Sequence, residues 1–104
     1  MTRTESPIAH FGISTAMLTP FNNDGSLNID LFCAHAKAML ARGANGVTLF
    51  GTTGEGASIG LYERTDAISA MIASGVPKNV MTLGVCASAI ADAVLQVEQG
   101  IALG

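Results

Sequence analysis

The sequence predicts an α/β fold built on parallel strands, and three observations predict it. Three short apolar runs, Gly12–Leu18, Gly46–Phe50 and Val80–Val85, are too short for helices and are bounded by turn residues. That is the pattern of strands buried on both faces of a parallel sheet. Each run is followed by a helical pattern that ends near a glycine, Gly43, Gly75 or Gly104, the residue favoured in the left-handed position just past a helix. These glycines recur at intervals of 32 and 29 residues, the length of one strand–helix unit.

The helices follow in order. In the first, Ile29, Phe32, Cys33, Ala36, Met39 and Leu40 form one apolar stripe. Asn28 is its expected N-cap, Asp30 lies in the first turn and Arg42 in the last, where the helix dipole favours each charge. In the second, Leu61, Ile68, Met71 and Ile72 are expected to face inward, with Gly60 and Glu63 as the glycine form of a capping box. In the third, Ser88 is the expected cap, and Ile90, Val94, Val97 and Ile101 recur every three or four residues. Gly100 inside this helix costs about 1 kcal/mol relative to Ala.

Alternating strands and helices imply right-handed crossovers and a sheet covered by helices. Two architectures satisfy this, an open doubly wound sheet and a closed eightfold barrel, and periodicity leaves both open. Three strands cannot close a barrel, whose usual chain has about 250 residues. Residues 1–104 therefore read as a single incomplete domain.

Composition agrees. Hydrophobic residues make up 49% of the chain and charged ones 12%, against about 25% charged in a typical domain. A small domain needs proportionally more polar covering, not less. The expectation is that a partner or a further part of the polypeptide covers much of this surface. A net charge of −3 with five dispersed basic residues leaves no footprint for nucleic acid. Every apolar stretch is interrupted before the ~18 residues a membrane span requires. The start of the sequence does not resemble a secretory signal. Cys33 and Cys86 lie 53 residues apart and read as small buried hydrophobes in a reducing compartment. The expected location is the cytoplasm.

Ligands of such folds bind where strands end and helices begin. The loops there are Thr19–Leu27, Gly51–Ile59 and Cys86–Ser88. The middle one opens Gly51-Thr52-Thr53-Gly54-Glu55-Gly56. Its glycines suit positive φ angles and close approach to a ligand, and its two hydroxyls and free N–H groups suit a small anion. The glycine order is not that of a dinucleotide or phosphate loop, Lys is absent and Glu55 would repel phosphate. A glycine-rich turn without special purpose and a small-carboxylate site remain.

Gly51-Thr52-Thr53-Gly54-Glu55 resembles the signature of the dihydrodipicolinate synthase/N-acetylneuraminate lyase family of pyruvate aldolases. The context is similar too, with Thr19-Pro20-Phe21 after the first strand, Asp24-Gly25 and Ile29-Asp30 before and at the first helix, and Glu63-Arg64 where the second begins. The resemblance runs from about Gly12 to Gly104. It implies the first three βα units of a (β/α)8 TIM barrel, usually a homotetramer, acting on small molecules (pyruvate or another 2-oxo acid, and an aldehyde) without metal or cofactor. It further implies Thr52 as a catalytic hydroxyl that relays protons with tyrosines and Thr53 as the ligand of the pyruvate carboxylate. The paired threonines resemble the dihydrodipicolinate synthase branch, since the sialic acid lyase branch resembles Ser-Thr there.

The same resemblance implies a Schiff-base lysine, and this chain has none in place. Lys37 falls on the first helix and Lys78 before the third strand, at the wrong end, so both read as solvated charges. Tyr62 starts the second helix. Gly56 and Ser58 depart from the family's commoner small-plus-Thr pattern. His10 and His35 are isolated, and no metal site is expected. Glu55 reads as a structural residue bonding the backbone of its own loop. The 104 residues alone are expected to be inactive and to aggregate, self-associate or form part of a longer barrel. A 2-oxo-3-deoxy sugar acid aldolase or sialic acid lyase-like enzyme is the runner-up, and a non-catalytic homologue that binds a 2-oxo acid is the rival of another class.

Overall fold

The computed structural model describes residues 12–104. Its elements alternate: strand β1 (Ser14–Ala16), helix α1 (Ile29–Ala41), β2 (Gly46–Leu49), α2 (Leu61–Ala73), β3 (Met81–Leu83) and α3 (Ile90–Ala102). The strands form one parallel sheet in the order β1-β2-β3, with Thr15 opposite Val47 and Val47 opposite Met81. The three predicted units are therefore all present, in sequence order.

The strands are shorter than the apolar runs for local reasons. Gly12 and Phe50 have φ angles of 65° and 63°, which take the chain out of the ladder. Val80 belongs to a single 3₁₀ turn, Lys78–Val80. At the helix ends, Gly43, Gly75 and Gly104 adopt positive φ as expected, just past the capping residues Arg42, Ser74 and Leu103. The Asn28 side chain accepts from the N–H of Leu31 and caps α1 as predicted.

The core lies between the sheet and its helices. Val47, Leu49, Phe50, Phe32, Ala36 and Met71 are completely shielded. Removing a side chain of Leu, Phe or Met size from water contributes about 1.5–3 kcal/mol each. The apolar runs predict burial on both sheet faces, and the structure buries one. Side chains alternate along a strand, so Thr15, Met17, Val47, Leu49, Met81 and Leu83 meet the helices. Ala16, Thr48 and Thr82 line the face that carries no helix, where the hydroxyls of Ser14 and Thr48 share a hydrogen bond of 2.8 Å. These residues are small or carry hydroxyls, and Ala16 and Thr82 are exposed.

α3 also departs from expectation. Its cap is Ala89, which has no hydrogen-bonding side chain, and not Ser88. Its apolar stripe is open among the described residues: Ile90 is 84% and Ile101 73% exposed, and Val94 and Val97 are about half exposed. The residue it buries is Gln96, whose amide is drawn under the loop after β3. Gly100 has a positive use here, since a Cβ at that position would stand 3.0 Å from Leu83 Cδ1.

Candidate active site

All three loops singled out in the sequence leave the C-terminal ends of their strands and lie together. Polar side chains tie them to one another. Buried Thr19 donates its hydroxyl to the carbonyl of Gly54 at 2.6 Å, joining the loop after β1 to the loop after β2. The Glu63 carboxylate accepts from the N–H of Leu27 and from the N–H of Gly60, both at 3.3 Å, so it holds the first loop while it closes the first turn of α2. Of the predicted capping box, this glutamate half is the one formed. Gln96 clamps the third loop through the N–H and the carbonyl of Cys86, at 3.0 and 3.3 Å.

Within Gly51–Ile59 the geometry corrects one expectation. The positive φ angles fall on Phe50 and Glu55, not on the three glycines. Two of the three, Gly54 and Gly56, serve close approach instead, while Gly51 has open space around it. A Cβ on Gly54 would stand 2.7 Å from the carbonyl oxygen of Met17, and one on Gly56 would stand 1.9 Å from that of Phe50. The loop is a compact coil closed by Glu55 N–H donating to Thr52 O (3.1 Å) and Gly56 N–H donating to Gly51 O (3.0 Å), then by one 3₁₀ turn, Gly56–Ser58. Glu55 contributes its backbone to this coil, as donor to Thr52 and acceptor from Ser58, while the residue itself is exposed. Thr52 and Thr53 crown the loop and are both exposed, so their hydroxyls are free to meet a ligand.

Beneath this loop lies a residue that sequence reasoning did not place in the site. Arg64, on the first turns of α2, is completely buried. Its guanidinium carbon stands 4.7 Å from the centroid of the Phe50 ring, which in turn packs on Phe32 at 5.6 Å. One Nη donates to the carbonyl of Gly84 at 2.8 Å, while Nε and the other Nη have no partner among the described residues. Burial pulls the guanidinium pKa below its ordinary value, and the nearby Cys86 pushes it the other way. The Cys86 thiol donates to the carbonyl of Phe50 at 3.4 Å. Removing an ion from water costs several kcal/mol, and one carbonyl does not offset that. The Glu63-Arg64 pair is visible in the sequence, but an arginine early in a helix reads as a surface charge.

The two lysines stay away from the mouth. Lys37 is exposed on α1, and Lys78 is exposed in the turn that precedes β3, at the opposite end of the sheet. Tyr62 is 84% exposed. His35 lines a groove with Leu18, Pro20 and Leu31, and His10 lies outside the described residues. Among the described residues, no three His, Cys, Asp or Glu side chains gather as a metal site would require, and no helix is long and apolar enough to cross a membrane.

The family model for the dihydrodipicolinate synthetase family matches residues 9–104. The chain belongs to that family. It is 44% identical over 64 residues to a 4-hydroxy-tetrahydrodipicolinate synthase of Corynebacterium jeikeium, which covers 61% of this chain and 21% of that protein. Its structure is similar to dihydrodipicolinate synthase from Agrobacterium tumefaciens, with a TM-score of 0.85 and 43% identity over 91% of this chain and 33% of that one. It is also similar to Proteus mirabilis N-acetylneuraminate lyase, with a TM-score of 0.74 and 28% identity over 85% of this chain and 30% of that one. The chain thus spans a third or less of the length of these relatives. Its three strand–helix units are part of the family's eightfold barrel, which decides between the two architectures that periodicity left open.

Proposed function

We propose that the complete polypeptide carrying these residues is a pyruvate-dependent class I aldolase, most similar in kind to dihydrodipicolinate synthase, which condenses pyruvate with an aldehyde. The observation that carries the reading is the coil Gly51–Gly56, which holds Thr52 and Thr53 exposed at the C-terminal mouth of the sheet. Family membership supports the reaction class. The likeness to N-acetylneuraminate lyase supports the runner-up, cleavage of a sialic or 2-oxo-3-deoxy sugar acid by the same chemistry.

In this reading an amine of a lysine adds to the carbonyl carbon of pyruvate and water leaves, forming an iminium ion. Loss of a methyl proton gives the enamine, whose carbon attacks the aldehyde, and water then releases the product. Thr53 and the loop's N–H groups hold the carboxylate. Thr52 passes protons, and because a hydroxyl's pKa is far above neutrality it does so in a chain with a tyrosine. Lys37 and Lys78 do not face the mouth, so the amine belongs to another segment and residues 12–104 supply a wall of the site. The same reading takes these residues as part of one barrel domain, with no cofactor or metal, in a cytoplasmic homo-oligomer, a tetramer by analogy with the family.

Borohydride trapping with pyruvate, followed by mass analysis, tests it. The complete polypeptide should gain one pyruvyl adduct on a lysine other than Lys37 and Lys78, and the 104 residues alone should gain none. No adduct on the complete polypeptide would overturn the reading. Thr52→Val should lower turnover with little change in fold, and Thr53→Val should raise the KM for pyruvate by a loss of about 1–3 kcal/mol of binding. Unchanged kinetics in both variants would remove these roles.

A further inference from the structure

We infer that Arg64 is a positioning residue for the pyruvate site, setting the height and direction of the Thr52-Thr53 coil through the Phe50 backbone. The inference rests on the aldolase reading and adds to it a residue that makes no contact with substrate.

Three features converge on Phe50. It is a bulky residue held at φ 63°, a conformation that side chains other than glycine's adopt only when their surroundings enforce it. Its ring packs against both Phe32, tilted at 44°, and the Arg64 guanidinium. Its carbonyl is pressed by Gly84, where a Cβ would stand 2.5 Å away, and accepts from the Cys86 thiol. Arg64 grips both sides of this junction, stacking on the ring of Phe50 and donating to the carbonyl of Gly84 on β3's exit. The next residues after Phe50 are Gly51, Thr52 and Thr53, so a tilt of the Phe50 peptide moves both hydroxyls. A flat guanidinium suits this task because it can stack and donate at once, which an ammonium cannot. A buried cation with two nitrogens unpartnered among the described residues is a poor choice for stability alone, and local rules are broken in this way where function asks for it.

The test compares Arg64→Met and Arg64→Lys with Cys33→Ala in the complete polypeptide. Met keeps the volume and drops the donor, Lys keeps the charge and drops the plane, and Cys33 is a buried α1 residue that takes no part in the hydrogen bonds described for the loop. The readouts are pyruvate KM and kcat per trapped site, melting temperature, and hydrogen exchange of the 51–56 amides. Arg64→Met should raise the KM at least tenfold and speed exchange at 51–56, Arg64→Lys should restore little of either, and Cys33→Ala should lower the melting temperature with KM unchanged. A purely structural arginine would give variants whose trapped sites keep wild-type KM and whose 51–56 amides stay protected, and that result overturns the inference. If wild type traps no pyruvate, the aldolase reading falls. The exchange data then still decide whether Arg64 holds the coil.

Discussion

α2 and α3 are both thirteen residues long, both follow a parallel strand, and both carry an apolar stripe in sequence, yet they sit differently. α2 buries Arg64, Ala67, Ile68 and Met71 and has its first turn closed by the Glu63 carboxylate. α3 buries Gln96 and turns Ile90 and Ile101 outward from an uncapped start. The difference shows that periodicity states which face of a helix needs cover, not what supplies it. For α2 the cover is at hand in α1 and the sheet. For α3 the stripe and the exit of β3 form an open cleft lined by Leu83, Val85, Val97 and Ile101, beside a sheet edge with no fourth strand among the described residues.

Five variants of the complete polypeptide sharpen or break this contrast. The largest effect belongs to Met71→Ala, which empties a fully buried site and should cost about 2–5 kcal/mol in urea unfolding. Ile90→Ser, on the stripe left open among the described residues, should cost less than Met71→Ala, and a matching cost would mean that a further segment of the barrel covers the start of α3. Next comes Glu63→Gln, which weakens the ties to Leu27 and Gly60 and should cost about 1 kcal/mol. Ala89→Asp should bring α3 closer to α2 by supplying the missing cap, a gain of about 1 kcal/mol. The smallest effect is at Asp24. Its carboxylate accepts from the hydroxyl and the N–H of Ser26 and is held below the usual carboxylate pKa. A depressed carboxylate stabilises the fold above its unfolded pKa of about 3.9, and that contribution is lost as pH falls through the folded value. Asp24→Asn should therefore lower stability slightly near neutrality, where the carboxylate's contribution is present, and converge with the wild type at low pH, which flattens the acid limb of the stability–pH curve.

Much of the architecture was legible before any coordinates. Strand order, the three helices, the Asn28 cap and the glycines past the helix ends follow from local rules, and the position of Gly51–Gly56 follows from strand–helix alternation. Three things were not. Arg64 is buried because a carbonyl twenty residues away and an aromatic ring meet it there, and neither contact has a sequence period. Positive φ at Phe50 and Glu55 is set by how closely neighbouring backbones press the loop, so counting glycines assigned it to the wrong residues. The openness of the sheet face lined by Ala16, Thr48 and Thr82 was not foreseen, because the runs read as strands of a complete sheet and three strands leave the barrel interior they line uncovered.

The shortness of those strands has a consequence for how the 104 residues would lose solubility. Each open edge, β1 and β3, presents three residues of ladder. An amyloid template is a flat segment of about six or seven residues, so these edges offer poor seeds for a fibril. The grooves beside them, with Leu18, Pro20 and Leu31 on one side and Val85, Val97 and Ile101 on the other, offer sticky side chains instead. Concentrated samples of the short chain should cloud as amorphous, detergent-reversible clusters that leave amyloid dyes dark.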